Sequence, residues 1–191
     1  MSVVILFGFS GAGKSTLANV LGDYYSLRVV HPSGILRNLL ENRAVVVENS
    51  DYNKGFWESE EGIALFKSRL YEKEPLDLVS DRILLQEVEK GNVVIDSWSL
   101  PWLTTQGINI YLQADLEIRS QRVSLRSNIS YEKALEVVAM KDEETRRLFQ
   151  RVYGFDIMQD HHVFDYTVNT NRLTKEEVLV NVCEYLNKMI N

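Results

Sequence analysis

The sequence predicts an α/β protein in which helices cover both faces of a parallel β-sheet. Short, continuous apolar runs are typical of strands that are buried on both faces. Longer segments with helical spacing separate these runs, and this alternation favours right-handed crossovers between parallel strands. The predicted strands are Val3–Phe7, Leu27–Val30, Val93–Ile95, Ile108–Leu112 and Phe164–Val168.

Two of the intervening helices carry clear sequence signals. Before the third strand, Ile83, Leu84 and Val88 are spaced as on one face of a helix. The last helix begins with a capping box, in which Thr174 and Glu177 can each satisfy a free backbone N–H group of the first turn.

Length, charge and cysteine content limit the class of protein. The 191 residues fit a single domain over residues 1–191. The apolar run Val3–Phe7 is far shorter than the roughly 20 residues that cross a bilayer. One cysteine, Cys183, excludes a disulfide framework, and the net charge of −6 argues against nucleic acid as a partner. We expect a cytoplasmic monomer or weak homo-oligomer with no membrane partner.

A phosphate-binding loop follows the first strand. Residues 8–15 read Gly-Phe-Ser-Gly-Ala-Gly-Lys-Ser and match the pattern G-x-x-x-x-G-K-[ST], which chance produces in fewer than roughly one in a hundred chains of this length. Its glycines let backbone N–H groups turn inward as an anion nest at a helix N-terminus. We expect Lys14 to bind the β- and γ-phosphates of ATP and Ser15 to bind Mg²⁺. This P-loop NTPase fold has the predicted cofactor-binding residues Gly8, Ser10, Gly11, Ala12, Gly13, Lys14, Ser15 and Thr16.

Asp96 is the second predicted metal ligand. It directly follows the buried run Val93–Ile95, and the carboxyl end of a neighbouring strand is where Mg²⁺ or its water shell needs a carboxylate. The alternative is a surface aspartate that opens a turn before Ser97.

Positive charge is concentrated between Arg119 and Arg151, where eight Lys+Arg stand against five Asp+Glu. Arg119, Arg122 and Arg126 fall on one helix face. A helical lid over about residues 115–155 would exclude water, and Arg122 and Arg126 would stabilise the transferring phosphoryl group as catalytic residues. The alternative is a solvated basic face that is paired with nearby acidic residues.

The predicted acceptor segment covers about residues 33–75. Arg37, Asp81 and Trp98 are the main candidates for binding the phosphate acceptor. Arg37 offers a guanidinium fork to an acceptor phosphate, or is a surface arginine. Asp81 faces the predicted acceptor cleft, or caps its helix. Trp98 walls a flat acceptor, or packs beneath the loop, and the same alternatives hold for Trp102.

At these positions the chain resembles the nucleoside monophosphate kinases, most closely the archaeal-type cytidylate kinases. The resemblance implies a monophosphate-binding region after the second strand, an arginine lid, and transfer of the ATP γ-phosphate to CMP or dCMP with Mg²⁺. We expect the strand order 2-3-1-4-5, with phosphates at the carboxyl ends of the strands. The matching segments are residues 8–16, 34–37, 90–96, 110–114, 153–156 and 164–170, with Arg122 and Arg126.

The chain departs from the family pattern near the acceptor. Ser97-Trp98 stands where the family shows Gly-Arg, Lys141 where a lid arginine opens an Arg-Glu-Glu run, and Gly34 where an acidic residue is expected. The acceptor is therefore open between CMP or dCMP and another small molecule, such as a nucleoside or a coenzyme precursor. A non-catalytic regulatory nucleotide-binding protein is a further alternative, whereas the Asn-Lys-x-Asp motif of small GTPases is absent from the sequence.

Overall fold

A parallel β-sheet lies at the centre of the fold. The computed structural model describes residues 2–33, 35–36, 39 and 55–190, and within these ranges the sheet has five strands. Their order is β2-β3-β1-β4-β5 and all neighbours are parallel, so the predicted class and strand order are confirmed. The strands are β1 (Val3–Phe7), β2 (Arg28–Val30), β3 (Val93–Asp96), β4 (Ile108–Gln113) and β5 (Tyr166–Asn169).

The fifth strand begins at Tyr166, later than the predicted Phe164. Phe164 instead follows a short 3₁₀ helix, His161–Val163, and its ring stacks on that of Phe7 at 5.0 Å between centroids. The aromatic packing holds Phe164 outside the strand ladder, so pairing with β4 starts after it.

Helices cover both faces of the sheet, as the alternation predicts. Leu17 and Leu21 of the first helix and Val182 of the last pack on one face. Leu84 and Val88 pack on the other. The described helices include α1 (Lys14–Tyr25), a 3₁₀ turn (Phe56–Glu58), α2 (Glu60–Ser68), α3 (Leu76–Lys90), α4 (Leu100–Leu103), α5 (Leu116–Ser127), α6 (Tyr131–Tyr153) and α7 (Lys175–Ile190).

Local capping signals set the ends of the helices. The Thr174 backbone N–H donates to the Glu177 carboxylate at 2.8 Å, and the Glu177 N–H donates to the Thr174 hydroxyl at 3.2 Å, which confirms the capping box before α7. Ser130 accepts from the Lys133 N–H at the start of α6, and Gly154 ends that helix with a φ of +83°. The predicted lid region is therefore the pair α5–α6, which pack on each other.

The register of the sheet brings the P-loop and β3 together. Leu6 in β1 is paired with Asp96 in β3, and the Ser97 N–H donates to the Leu6 carbonyl oxygen at 3.0 Å. Since the P-loop starts directly after Phe7, Asp96 lies beside it. Ligand sites of open α/β sheets form at this edge, outside the carboxyl ends of the strands.

Part of the predicted acceptor segment lies outside the described residues. Arg37, Gly34 and residues 40–54 belong to this part, so the prediction for Arg37 is not tested. None of the described helices has the length and apolar character needed to cross a membrane.

Candidate active site

The P-loop runs from Gly8 to Ser15 and leads into α1. Gly11 and Gly13 have φ values of +83° and +103°, which side chains other than that of glycine rarely adopt. A Cβ atom on Gly11 would lie 2.6 Å from the carbonyl oxygen of Arg119, whereas one on Gly13 would meet no atom within 4 Å. Gly11 therefore permits close contact with α5, and Gly13 turns the backbone beside open space, as an anion nest requires.

Replacing Gly11 with alanine is expected to lower the free energy of unfolding by about 2 kcal/mol or more. The added methyl group combines a strained φ with overlap on the Arg119 carbonyl oxygen. Gly154→Ala is the matched control, because Gly154 has the same φ but an added Cβ there meets nothing within 4 Å. Urea unfolding of both variants makes the comparison, and equal losses would show that the overlap costs nothing.

Lys14, Ser15 and Asp96 form a polar cluster between the P-loop and β3, in which Lys14 and Asp96 are buried and Ser15 is exposed. Lys14 Nζ donates to the Gly8 carbonyl oxygen at 2.6 Å and lies 3.7 Å from Asp96 Oδ1. Ser15 Oγ donates to Asp96 Oδ2 at 2.6 Å, and His31 Nδ1 lies 3.6 Å from the same oxygen. The two predicted metal ligands are therefore in direct contact.

The charges of this cluster follow from burial and pairing. Burial lowers the pKa of Lys14 from its ordinary value of 10.5, and the Asp96 carboxylate opposes that shift. Burial by itself raises the pKa of Asp96, but Lys14, His31 and Ser15 together hold the pKa below its usual 3.8. Asp96 is thus ionised at neutral pH. A carboxylate beside a hydroxyl is the kind of oxygen donor set that Mg²⁺ binds through one or two protein ligands and several waters, so the residues fit this ion.

Arg119 anchors the P-loop to the lid. Its guanidinium donates to the Asp142 carboxylate at 2.7 and 3.2 Å and to the Ser10 carbonyl oxygen at 3.3 Å. Both side chains of the ion pair are buried. Because breaking a buried pair leaves an uncompensated charge, Arg119 is a structural residue and not a free lid cation.

Arg122 and Arg126 line the same cleft as the P-loop. Arg122 donates to the Thr170 carbonyl oxygen at 2.6 Å and to its hydroxyl at 3.0 Å. Arg126 lies 3.4 Å from Glu58, with 48% of its side chain exposed. Arg126 is therefore the less constrained of the two predicted catalytic arginines.

Glu58 links the 3₁₀ turn before α2 to α5 and α6. Its carboxylate accepts hydrogen bonds from Lys141 Nζ at 2.6 Å and from Ser127 Oγ at 3.0 Å. The Glu58 and Lys141 side chains are only 3% and 4% exposed. Burial raises the pKa of Glu58, but Lys141 and its other partners outweigh burial and hold the pKa below 4.5. Glu58 is consequently a buried anion.

A cleft of about 1130 Å³ connects the P-loop with a second group of polar side chains. We call this group the α3 wall, because most of its members belong to α3. The exception is Arg69, which directly follows α2. Asp96, Trp98 and Glu58 also line the cleft. The α3 wall consists of Arg69, Asp77, Ser80 and Asp81.

Part of the α3 wall has polar atoms without partners. Arg69 donates to Asp77 Oδ1 at 2.6 Å and to the Thr145 hydroxyl at 3.2 Å. Asp77 Oδ2 and Ser80 Oγ are buried and have no hydrogen-bond partner among the described residues. A buried polar atom without a hydrogen-bond partner lowers the free energy of unfolding. Such atoms are typical of sites where a bound ligand supplies the missing partner.

Asp81 lies in the cleft as predicted, but it does not cap its helix. Because α3 begins at Leu76, Asp81 lies in the second turn, where its side chain is buried. Its carboxylate accepts hydrogen bonds from Ser99 Oγ and Tyr153 Oη, both at 2.6 Å. These contacts orient the carboxylate from α4 and α6.

The stability of the protein is expected to depend on pH through Asp81. Burial raises the pKa of Asp81 from 3.8 to about 6, although Ser99 and Tyr153 oppose the shift. The folded state therefore binds this proton more tightly, and the resulting stability is full below the unfolded pKa and is lost as the pH rises through about 6. Between neutral pH and about pH 4, urea unfolding should show the free energy of unfolding of wild type rising by about 2 kcal/mol relative to that of Asp81→Asn. A difference that stays constant with pH would contradict this.

The two tryptophans after β3 have different surroundings. Trp102 stacks on Phe155 at 4.8 Å and donates its indole N–H to the Asp160 carbonyl oxygen at 2.9 Å. Trp98 lines the cleft, with its ring centroid 5.5 Å from Lys14 Nζ. Trp98 is thus placed to contact a ligand, and Trp102 belongs to the aromatic core.

Glu58 and three members of the α3 wall, Arg69, Asp77 and Ser80, belong to no motif that the sequence reveals. Glu58 meets Lys141 across 83 positions, and no local pattern links two residues so far apart. Arg69 and Asp77 are separated by eight positions and a helix boundary. One signal points to Ser80. It is a polar residue one turn before the buried Leu84, on the same inner face of α3.

A P-loop at the end of β1, an ionised carboxylate at the end of β3 and a parallel sheet of order β2-β3-β1-β4-β5 define the P-loop kinase fold. Residues 3–172 match the cytidylate kinase-like family, and the chain belongs to that family. It is an ATP-dependent phosphotransferase of the nucleoside monophosphate kinase type. The alternative of a non-catalytic nucleotide-binding protein is therefore set aside.

Known proteins resemble the chain over almost its whole length. The cytidylate kinase of Ignicoccus hospitalis is 34% identical over 183 residues, which cover 94% of this chain and 95% of that protein. The cytidylate kinase of Sulfurisphaera tokodaii is 31% identical, with 98% and 97% covered.

Solved kinase structures share the fold at low identity. Shikimate kinase from Bacteroides thetaiotaomicron has a TM-score of 0.59 at 14% identity and covers 99% of this chain and 98% of its own. Deoxyadenosine kinase from M. mycoides with bound dATP has a TM-score of 0.54 at 18% identity, with 98% and 100% covered.

Proposed function

We propose that the protein transfers the γ-phosphate of ATP to CMP or dCMP with Mg²⁺ as the cofactor. The observation that carries this proposal is a single cleft lined by both the P-loop and the α3 wall. A kinase must hold donor and acceptor together in one space that excludes water. The names of the relatives in Ignicoccus hospitalis and Sulfurisphaera tokodaii support the same acceptor.

The α3 wall offers the groups that a cytosine ring needs. Cytosine carries an amino group, which carboxylates accept, next to ring nitrogen and carbonyl acceptors, to which a guanidinium donates. Asp77 and Asp81 supply carboxylates and Arg69 supplies the guanidinium, while Trp98 offers an aromatic surface. Uracil would set a carbonyl oxygen against a carboxylate, which disfavours UMP. Arg37 is the proposed ligand of the acceptor phosphate.

The donor phosphates belong at the P-loop. Lys14 and the N–H groups of residues 8–16 would hold the β- and γ-phosphates, and Ser15 and Asp96 would hold Mg²⁺. When bound, this ion neutralises charge on the β- and γ-phosphate oxygens.

The transfer step needs position and positive charge more than a base. The acceptor phosphate of CMP is already ionised at neutral pH, so no strong general base is required. Arg122 and Arg126, which line the cleft from α5, would stabilise the charge on the group in transit. Arg122, fixed on Thr170, is pre-oriented for this role.

The test is ADP release from ATP with a panel of acceptors: CMP, dCMP, UMP, AMP, nucleosides and small phosphorylatable alcohols. CMP or dCMP should give the highest kcat/KM, with UMP and AMP lower. Faster turnover with UMP, AMP or a non-nucleotide alcohol would assign a different acceptor to this site. Turnover that no member of the panel stimulates would overturn the proposal.

A further inference from the structure

One buried carboxylate holds two lid cations at the wall of the cleft. Glu58 lies 2.6 Å from Lys141 Nζ and 3.4 Å from an Arg126 nitrogen, and all three residues line the cleft. One negative charge faces two positive charges, so this group retains one excess positive charge. In a cleft that also holds Lys14, such an excess matches a phosphate.

The pairing decides whether Lys141 remains a cation. The charged groups around its ammonium are Glu58 from the 3₁₀ turn, Arg126 from α5, Arg69 beyond α2, and Asp142, which is next to it in α6. Burial lowers the pKa of Lys141 from 10.5, Glu58 raises it, and both arginines lower it further. Glu58 is the strongest group that opposes loss of the proton.

We propose that Glu58 is a positioning residue that holds Lys141 and Arg126 as a pair of cations for the terminal phosphate of ATP. This inference rests on the proposed function, since it assigns the pair to the donor phosphate in the same cleft. It gives the segment before α2 and Lys141 of α6 a role in ATP binding. Glu58 itself touches no phosphate.

The experiment measures dissociation constants for ATP and for ADP between about pH 7 and pH 9, in wild type and in Glu58→Gln. In wild type, the preference for ATP over ADP should change little over this range. In Glu58→Gln it should fall about tenfold as the pH rises, because Lys141 loses its proton and one charged hydrogen bond to the γ-phosphate is lost. Glu60→Gln, which removes the same charge from an exposed position, should behave as wild type.

A double variant separates positioning from simple damage to the fold. Glu58→Gln combined with Lys141→Arg should make the ATP preference independent of pH, because arginine stays protonated throughout. Glu58→Asp, which keeps the charge, provides a milder change if Glu58→Gln unfolds. A wild-type ATP preference and pH profile in both Glu58 variants would overturn the proposal. So would a loss in Glu58→Gln that arginine at position 141 does not correct.

These measurements are independent of the acceptor. If CMP fails as an acceptor but the Glu58 variants change ATP binding as expected, the proposed acceptor is wrong and the role of Glu58 holds. If CMP is phosphorylated while the variants bind ATP as wild type does, only the role of Glu58 is overturned.

Discussion

Replacing Lys14 with alanine is expected to lower kcat by about 10²–10³-fold, the usual cost of removing one preorganised donor to a charged transition state. Lys14 is buried at the mouth of the P-loop, 2.6 Å from the Gly8 carbonyl oxygen and 3.7 Å from Asp96. The fold itself should survive, because Asp96 keeps its contacts with Ser15 and His31 when the lysine is removed. Steady-state ADP release and urea unfolding measure the two effects.

The matched control is Lys188→Ala, which removes a lysine from an exposed position near the end of α7. This variant should retain wild-type kcat. Unchanged turnover in Lys14→Ala would refute the assignment of the P-loop, and a large loss of stability would show that Lys14 holds the fold together as well.

Asp96→Asn is expected to lower the apparent affinity for Mg²⁺ by about 10–100-fold, the range found when a residue that supports a metal site is removed. The substitution keeps the size of the side chain and an oxygen for the Ser15 hydroxyl, which donates at 2.6 Å, but removes the charge. Because Asp96 is ionised at neutral pH, the wild-type site presents a carboxylate to the ion. A Mg²⁺ titration of turnover should show the variant approaching saturation only at raised Mg²⁺.

Asp23→Asn, on the exposed side of α1, controls for the loss of one negative charge. Its Mg²⁺ titration should coincide with that of wild type. If Asp96→Asn also coincides with wild type, Asp96 is not a metal ligand, and its contacts with Lys14 and Ser15 serve only to fix the P-loop.

Local patterns predict the fold, which the structure confirms, and the positions of the P-loop and of Asp96. Continuous apolar runs marked the strands, and the P-loop pattern placed Lys14 and Ser15 because both are defined within eight consecutive residues. Asp96 was found because the end of a buried strand is itself a local signal. The sheet register then brought Asp96 beside the P-loop, as expected for neighbouring parallel strands.

The remaining part of the candidate site depends on contacts between residues that lie far apart in the sequence, which local patterns do not predict. Helical spacing places Arg119, Arg122 and Arg126 on one face of a helix. It does not reveal that Arg119 forms an ion pair with Asp142, which lies 23 positions further along the chain. Only the folded chain distinguishes a cation that is neutralised by a buried partner from one that faces the cleft. The roles of Asp81, Trp98, Arg122 and Arg126 in binding remain predictions, although all four line the cleft.

The contact between Gly11 and Arg119 joins the P-loop to the start of α5. An added Cβ on Gly11 would lie 2.6 Å from the Arg119 carbonyl oxygen, and the guanidinium of the same residue is tied to Ser10 and Asp142. The start of α5 is thus fixed to the P-loop by close packing and a hydrogen bond, and the middle of α6 is fixed to α5 by the ion pair. A substitution at Gly11 would therefore disturb the P-loop and α5 together and, through the ion pair of Arg119 with Asp142, also α6.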